Sequence, residues 1–282
     1  MKIIADSGST KTHWSVFTNS GQRSDYYTSG INPSLMSDDD VNRVVSVELL
    51  PQLSSIWWVG PFESVEFYGA GCAGAEPIER VKKALRTAFK HADIIVDSDM
   101  VGACRALLGG GAGVCAILGT GSNSCYYDGA RIADNVPSLG FILGDEGGGA
   151  YIGKRLVGDI LKGQMPESVC RAFEDEYHLT VADIVHKVYR EPAPNRFLAQ
   201  LTHFAAMHIG VPEVEALVID CFEQFVVRNL LHYRQPAGSE VHFVGSVAFF
   251  FRTQLSIALQ RHKLRLGKVL REPLDIDDES EV

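Results

Sequence analysis

With 282 residues, 46% of them hydrophobic and 22% charged, the chain has the make-up of a folded, water-soluble protein, and its length points to two domains. A formal net charge of −9 without a long basic run argues against a nucleic-acid backbone as partner. No apolar run is long enough to span a bilayer and the first is broken at Asp6, so no membrane contact and a cytoplasmic location are expected.

Three strands are predicted over residues 2–6, 12–18 and 23–28, with the turn Ser7-Gly8-Ser9-Thr10-Lys11 after the first and the hairpin-type turn Asn19-Ser20-Gly21 after the second. They form an antiparallel meander. Asp6 leaves the first strand where a carboxylate would hold a hydrated magnesium ion beside phosphates; capping the turn through its own backbone is an equal reading. Asn32, biased toward an extended backbone by Pro33, offers its amide to a hydroxyl-rich ligand or simply opens an Asn-Pro turn. The spacing of Val41, Val44, Val45 and Leu49 predicts a helix from about Asp38 to Leu53. A strand over 65–68 empties into Gly69-Ala70-Gly71-Cys72-Ala73-Gly74, small enough for a ligand or another element to approach.

Pro77 is read as opening a helix to Phe89. Ile94-Ile95-Val96 is read as a buried strand that ends in Asp97-Ser98-Asp99 before a helix over Val101 to Leu108. Carboxylates at a strand's carboxyl end are where open α/β sheets place chemistry, with Asp99 as general base and Asp97 as its neighbour; any of the three residues also suits a helix cap. Gly109 to Gly113 is the best hinge candidate.

The stretch from Cys115 to Gly149 is the most informative. Val114 to Leu118 ends in Gly119-Thr120-Gly121-Ser122, where two glycines are expected to take positive φ and turn backbone N–H groups toward an anion. Strand, glycine-and-hydroxyl turn, strand thus occurs twice, with Gly8-Ser9-Thr10 lining up with Gly121-Ser122-Asn123, as in a duplicated unit. Two such turns facing one another would clamp a nucleotide's phosphates. Gly144-Asp145-Glu146-Gly147-Gly148-Gly149 precedes a helix containing Tyr151, Ile152, Leu156, Val157 and Ile160. Asp145 and Glu146 would suit its N-terminus, although three glycines are not needed for that. Helical patterns fill Pro166 to Tyr233 apart from a break at Pro192 to Pro194. Val241 to Val244 then leads into Gly245-Ser246-Val247, a third strand-to-glycine-to-helix junction of the kind that accepts an adenosine or its phosphate. The tail from Asp275 reads as solvated.

The six cysteines form no C-x-x-C pair and the nine histidines no H-E-x-x-H. Free thiols are therefore expected, with no structural zinc.

In order along the chain, D-S-G-S-T-K-T (6–12), S-G-I-N (29–32), D-S-D-M-V-G (97–102), L-G-T-G-S-N (118–123), L-G-D-E-G (143–147) and V-G-S-V (244–247) resemble the sugar kinase, heat-shock chaperone and actin superfamily, and specifically its N-acetylglucosamine kinase branch within the BadF/BadG/BcrA/BcrD ATPases. The resemblance implies an α/β fold of two ribonuclease-H-like, actin-like ATPase domains, about 1–110 and 111–282, with a helical insertion at about 160–235 and ATP in the cleft. Carried over position by position, Ser9, Thr10, Lys11, Thr120, Gly121 and Ser122 would serve the ATP phosphates and Gly245 and Ser246 the adenosine. Asn32, Asp99, Gly140 and Asp145 would hold the sugar, Asp99 would be the catalytic base, and Asp6 the Mg2+ ligand. The expected partner is a small sugar, with a homodimer left open. The same family also contains ATP-driven activators of redox enzymes that share an iron–sulfur cluster between subunits, a role that requires exposed cysteine ligands. Two departures stand out. Glu272-Pro273-Leu274-Asp275 turns acidic where related chains continue with a glycine-bearing apolar segment. Leu139 stands where vertebrate N-acetylglucosamine kinases carry a tryptophan beside the sugar, which leaves recognition to hydrogen bonds and implies tolerance at the sugar's 2-position.

Overall fold

The computed structural model describes residues 1–8, 10–54, 56 and 60–275. The chain divides into two compact units, Met1–Ala106 and Leu107–Val282. In the first, β1 (Lys2–Ser7), β2 (Lys11–Phe17) and β3 (Arg23–Ser29) form the expected meander, and β4 (Ser64–Gly69) and β5 (Asp93–Ser98) join it in the order β3-β2-β1-β4-β5. β4 runs parallel to β1, and β5 parallel to β4. Helix α1 (Asp38–Arg43) begins with a capping box on Ser37, where Ser37 and Asp40 each accept from the other's backbone, satisfying two orphan amides. It continues as a π-helical stretch over Val44–Leu49 and closes with α2 (Leu50–Leu53). With α3 (Ala75–Ala88) these helices cover one face of the sheet, burying Val41, Val44, Leu49, Val81 and Leu85 against Ile3, Trp14, Val65 and Phe67. Truncating a side chain as central as Phe67 to alanine costs about 3–5 kcal/mol.

Helix α3 starts two residues before Pro77, because Gly74 at φ 89 makes the entry turn. The strand read as buried, Ile94 to Val96, is instead a sheet edge: only Val96 is buried, and Ile95 is 37% exposed. A three-residue apolar run cannot distinguish a central strand from an edge that covers its helix on one side only. Helix α4 (Asp99–Leu108) follows directly.

The second unit repeats the pattern. β6 (Gly113–Leu118), β7 (Ser122–Tyr127) and β8 (Ile132–Val136) form a meander, β9 (Glu240–Val244) lies parallel to β6, and β10 (Arg265–Leu270) lies parallel to β9. The order β8-β7-β6-β9-β10 is therefore that of the first unit. By strand ends Gly8 corresponds to Gly119, not Gly121, so the register of the repeat differs from the one suggested by the Gly-Ser pairs.

Between β8 and β9 lie α5 (Gly140–Leu143), α6 (Gly149–Leu161), α7 (Glu167–Tyr177), α8 (Val181–Tyr189), α9 (Pro194–Gln200), α10 (Thr202–Met207) and α11 (Pro212–Arg228), closed by a 3-10 turn at Leu230–Tyr233. α12 (Ser246–Phe250) and α13 (Arg252–Arg261) connect β9 to β10. Ile152, Leu156, Phe222, Phe225, Leu255 and Leu259 pack on Val114, Ala116, Leu118 and Phe243. Asp145 and Glu146 do not lie in the first turn of α6, which starts at Gly149 and has no acidic residue there. Gly147 and Gly148 separate them from it. The acidic residues 276–282 and Ser9 fall outside the described residues.

Candidate active site

In the first unit the turn after β1 is short and closed, with Gly8 N–H donating to Lys11 O at 3.0 Å. Its base is a buried hydroxyl network: Ser7 Oγ lies 2.7 Å from Thr12 Oγ1 and accepts from Ile31 N–H at 2.9 Å, while Thr12 donates to Ser29 O at 3.1 Å. The S-G-I-N segment is thereby tied to the turn. Gly8 and Thr10 are exposed above this base, and Lys11 places its ammonium 5.1 Å from the Tyr27 ring centre. Asp6 sits at the same end of β1, half-buried.

Asn32 Oδ1 accepts from Ser34 N–H at 3.2 Å, so the Asn-Pro turn is real. The close approach allowed by the 69–74 glycines is taken by this same residue: a Cβ on Gly71 would lie 2.1 Å from Asn32 Oδ1, and Ser34 donates to Gly71 O at 2.7 Å. Asp99 opens α4, and its carboxylate accepts from Met100 N–H at 2.9 Å, while Ser98 Oγ accepts from Val101 N–H at 3.3 Å. Ser98 is thus the residue that caps α4 from the strand end, and Asp99, one position on, accepts from the next amide of the same turn. Burial pushes the Asp99 carboxyl above its ordinary range against the opposing pull of the Met100 amide. Nearby Cys72 is buried, and its thiol is pushed up to about 12 by burial and then by the charges of Asp99 and Asp97, which leaves it inert as a nucleophile. Helix α4 is seated by Tyr68: a Cβ on Gly102 would lie 2.7 Å from the Tyr68 Cβ and 2.8 Å from its ring, and Arg105 donates to its hydroxyl.

In the second unit the turn after β6 is closed by Gly119 N–H donating to Gly121 O at 3.0 Å. Neither Gly119 nor Gly121 has positive φ. The reason glycine stands at 121 is steric, since a Cβ would lie 2.6 Å from Asp145 Oδ2. Asp145 takes the left-handed backbone, φ 56, rests its carboxylate on this turn and accepts from Ser138 Oγ at 3.1 Å and from the Ser122 amide. Burial pushes its carboxyl up, opposed by these bonds and by Lys154. The three glycines now have separate reasons: Gly147, φ 72, lies on Phe222 and Phe225; a Cβ on Gly148 would lie 2.6 Å from the Gly121 carbonyl carbon; and one on Gly149 would lie 3.2 Å from Gly119 O, to which the Gly149 amide donates at 2.8 Å while Ala150 donates to Thr120 O at 2.9 Å. The start of α6 is thus spent on holding the turn. Thr120 is exposed and Ser122 buried. Gly140, φ 73, opens α5 beside Leu139, which is 58% exposed.

Gly245, at φ 121, completes this half: a Cβ there would lie 2.3 Å from Leu118 O, so the third junction packs on the strand end that carries the turn, with Ser246 exposed. Thr120, Gly121, Ser122, Asp145 and Gly245 come together at the end of β6, and Gly140 is linked to them through the 138–145 segment, whose Ser138 donates to Asp145. Among the described residues no group of three or more His, Cys, Asp and Glu side chains could hold a metal ion, and five of the six cysteines are buried free thiols, Cys170 being half-buried. No described helix is long and apolar enough to cross a membrane.

A candidate N-acetylglucosamine kinase from Porphyromonas gingivalis has the same structure, with a TM-score of 0.91 and 46% identity over 98% of this chain and 96% of that one. The chain belongs to the N-acetylglucosamine kinase-like sugar kinases. It is accordingly a phosphotransferase with an alcohol group as acceptor. More distant members and relatives share the fold: a candidate N-acetylglucosamine kinase from Chromobacterium violaceum at TM-score 0.72 and 19% identity over 95% of both chains, and a ROK-family glucokinase from Streptomyces griseus, in complex with glucose and AMPPNP, at 0.53 and 12% over 96% of this chain and 93% of that one. No family model and no curated protein matches the chain.

Proposed function

We propose that the protein is an ATP-dependent kinase of amino sugars that phosphorylates the 6-hydroxyl of N-acetylglucosamine, with Asp99 as general base. The duplicated strand order supports two ribonuclease-H-like domains, about 1–110 and 111–282, of which the second carries a helical insertion at about 160–235. The observation that carries the reading is Asp99 itself: a carboxylate just past the carboxyl end of a sheet strand, made more basic by burial and oriented by the Met100 amide, with Ser98 as the residue that caps the helix. A sugar hydroxyl is a poor nucleophile at neutral pH, and a base contributes most when its pKa moves toward the operating pH.

Each remaining residue has a part that its setting allows. Thr10, Lys11, Thr120 and Gly121 present donors to phosphate oxygens, and Gly245 and Ser246 receive the adenosine. Ser122 contributes by holding Asp145 through its amide, and Ser9 would join the phosphate donors. Asp145 and the Asn32 amide nitrogen read sugar hydroxyls, and Gly140 gives the Leu139 segment its left-handed entry. Asp6 fits a magnesium ion, because that ion keeps most of its waters and needs only one or two carboxylates besides the phosphates. When bound, magnesium neutralises charge that develops on the transferring phosphoryl group. The burial of five thiols leaves the redox-activator alternative without the exposed ligands it needs.

The test is a coupled ADP-release assay over N-acetylglucosamine, glucosamine, N-acetylmannosamine, N-acetylmuramic acid and glucose, with the phosphorylated position read by NMR. We expect N-acetylglucosamine to lead, with other 2-substituents accepted, because Leu139 offers no flat face to the ring. Activity on none of the five would overturn the reading.

A further inference from the structure

Glu146 has no part in the chemistry above, yet its side chain is only 9% exposed and its Oε1 lies 2.6 Å from Arg228 Nε. Arg228 ends α11, where a cation suits the helix dipole, and its own side chain is 59% exposed. The pair therefore joins the one buried carboxylate of the G-D-E-G loop to a helix whose Phe222 and Phe225 form the floor under Gly147. On its downstream side the loop is fixed by Gly148 N–H to Asp145 O at 3.0 Å and by the Gly149 and Ala150 amides on the turn. Asp145 lies upstream, in a left-handed conformation that is uncommon for non-glycine residues, although aspartate adopts it more readily than most.

We propose that Arg228, acting through Glu146, is a positioning residue that keeps Asp145 in its left-handed backbone, with its carboxylate against Gly121. This rests on the reading of Asp145 as a sugar contact. Without the guanidinium, the buried Glu146 carboxylate loses its compensating charge and must turn toward water. That movement rotates the peptide shared with Asp145 and lifts the Asp145 carboxylate off the turn.

The full chain would be compared with Arg228→Met, Arg228→Lys and Arg228→Gln by hydrogen exchange of the 144–150 segment and by steady-state kinetics, with circular dichroism as a check on folding. Arg228→Met should exchange the Gly148 to Ala150 amides about 10-fold faster and raise the sugar KM about 10–100-fold, with the ATP KM nearly unchanged, and Arg228→Lys should restore both. Arg228→Gln, which keeps a polar head, carries the same test in milder form if the methionine variant does not fold. Wild-type exchange in a folded Met or Gln variant would overturn the clamp whatever the substrate. Faster exchange with an unchanged sugar KM would overturn its link to recognition. If the wild-type enzyme phosphorylates no amino sugar, the substrate assignment fails and the exchange result alone decides the clamp.

Discussion

In the first unit the turn after β1 is fastened from below by side chains, the Ser7 and Thr12 hydroxyls and the Ile31 peptide. In the second unit the equivalent turn after β6 is fastened by the absence of side chains, because Gly121 and Gly148 let the Asp145 loop lie on its backbone and α6 donate into its carbonyls. The same strand order thus supports two solutions to the same problem. A hydroxyl network holds a turn in place and leaves its upper surface open. A glycine stack also brings an acidic side chain, Asp145, onto the turn, and the second turn tolerates no Cβ at Gly121 or Gly148. Asp99, the proposed base of the first unit, stands instead just beyond the end of β5, as the first residue of α4.

The largest effect expected from this contrast is at Asp99. Asp99→Asn should lower kcat by about 10²–10⁴-fold with ATP affinity little changed, and stopped-flow or steady-state assays check it. The same variant should melt at a higher temperature at neutral pH. A carboxyl raised by burial contributes its stability when protonated, below the unfolded value near 4, and loses it as pH rises through the folded value, so ionised Asp99 costs stability at pH 7. For the same reason the acid limb of kcat/KM in the wild type should lie above the ordinary carboxylate range.

Gly121→Ala comes next. Its new methyl meets the Asp145 carboxylate at 2.6 Å, and a displacement of that size is expected to raise the sugar KM about 10–100-fold. Titration calorimetry with sugar reads this directly, and unchanged affinity would show that the second turn is not built on glycine contacts. Ser7→Ala tests the first turn: it leaves the buried Ile31 N–H unpaired and should cost about 1–3 kcal/mol in denaturant unfolding. The smallest effect is reserved for Gly8→Ala, whose Cβ would find its nearest neighbour at 3.8 Å. Stability should stay within about 0.5 kcal/mol, so that any loss of ATP affinity in this variant reports phosphate approach alone.

The turns and strand ends that make up the candidate site are legible in the sequence because its pieces are local: a short apolar run, then small and hydroxyl residues. Asp99 beside Ser98 and Gly121 ahead of Ser122 could each be picked out within a few residues. What escaped was long-range. Arg228 meets Glu146 only because α11 passes over the loop, and nothing near Arg228 signals that partner. β8, Ile-Ala-Asp-Asn-Val, has too little apolar character to stand out. β10 is interrupted by Gly267, which is required because a Cβ would lie 2.7 Å from His242 Nδ1, beside a shift in register between Leu266 and Val269. The reason for Gly121 was also misread: positive φ and crowding both select glycine, and only coordinates separate them.

The edge position of β5 bears on how the protein behaves in concentrated solution. Its outer rim offers unpaired backbone groups on a strand that reads Asp93-Ile94-Ile95-Val96-Asp97-Ser98, with Ile95 more than one-third exposed. Such a rim invites a second chain to add a strand. In the antiparallel copy centred on Ile95, which would pair the two exposed isoleucines, Asp93 of each chain would face Asp97 of the other, so the acidic brackets of the strand discourage edge-to-edge pairing.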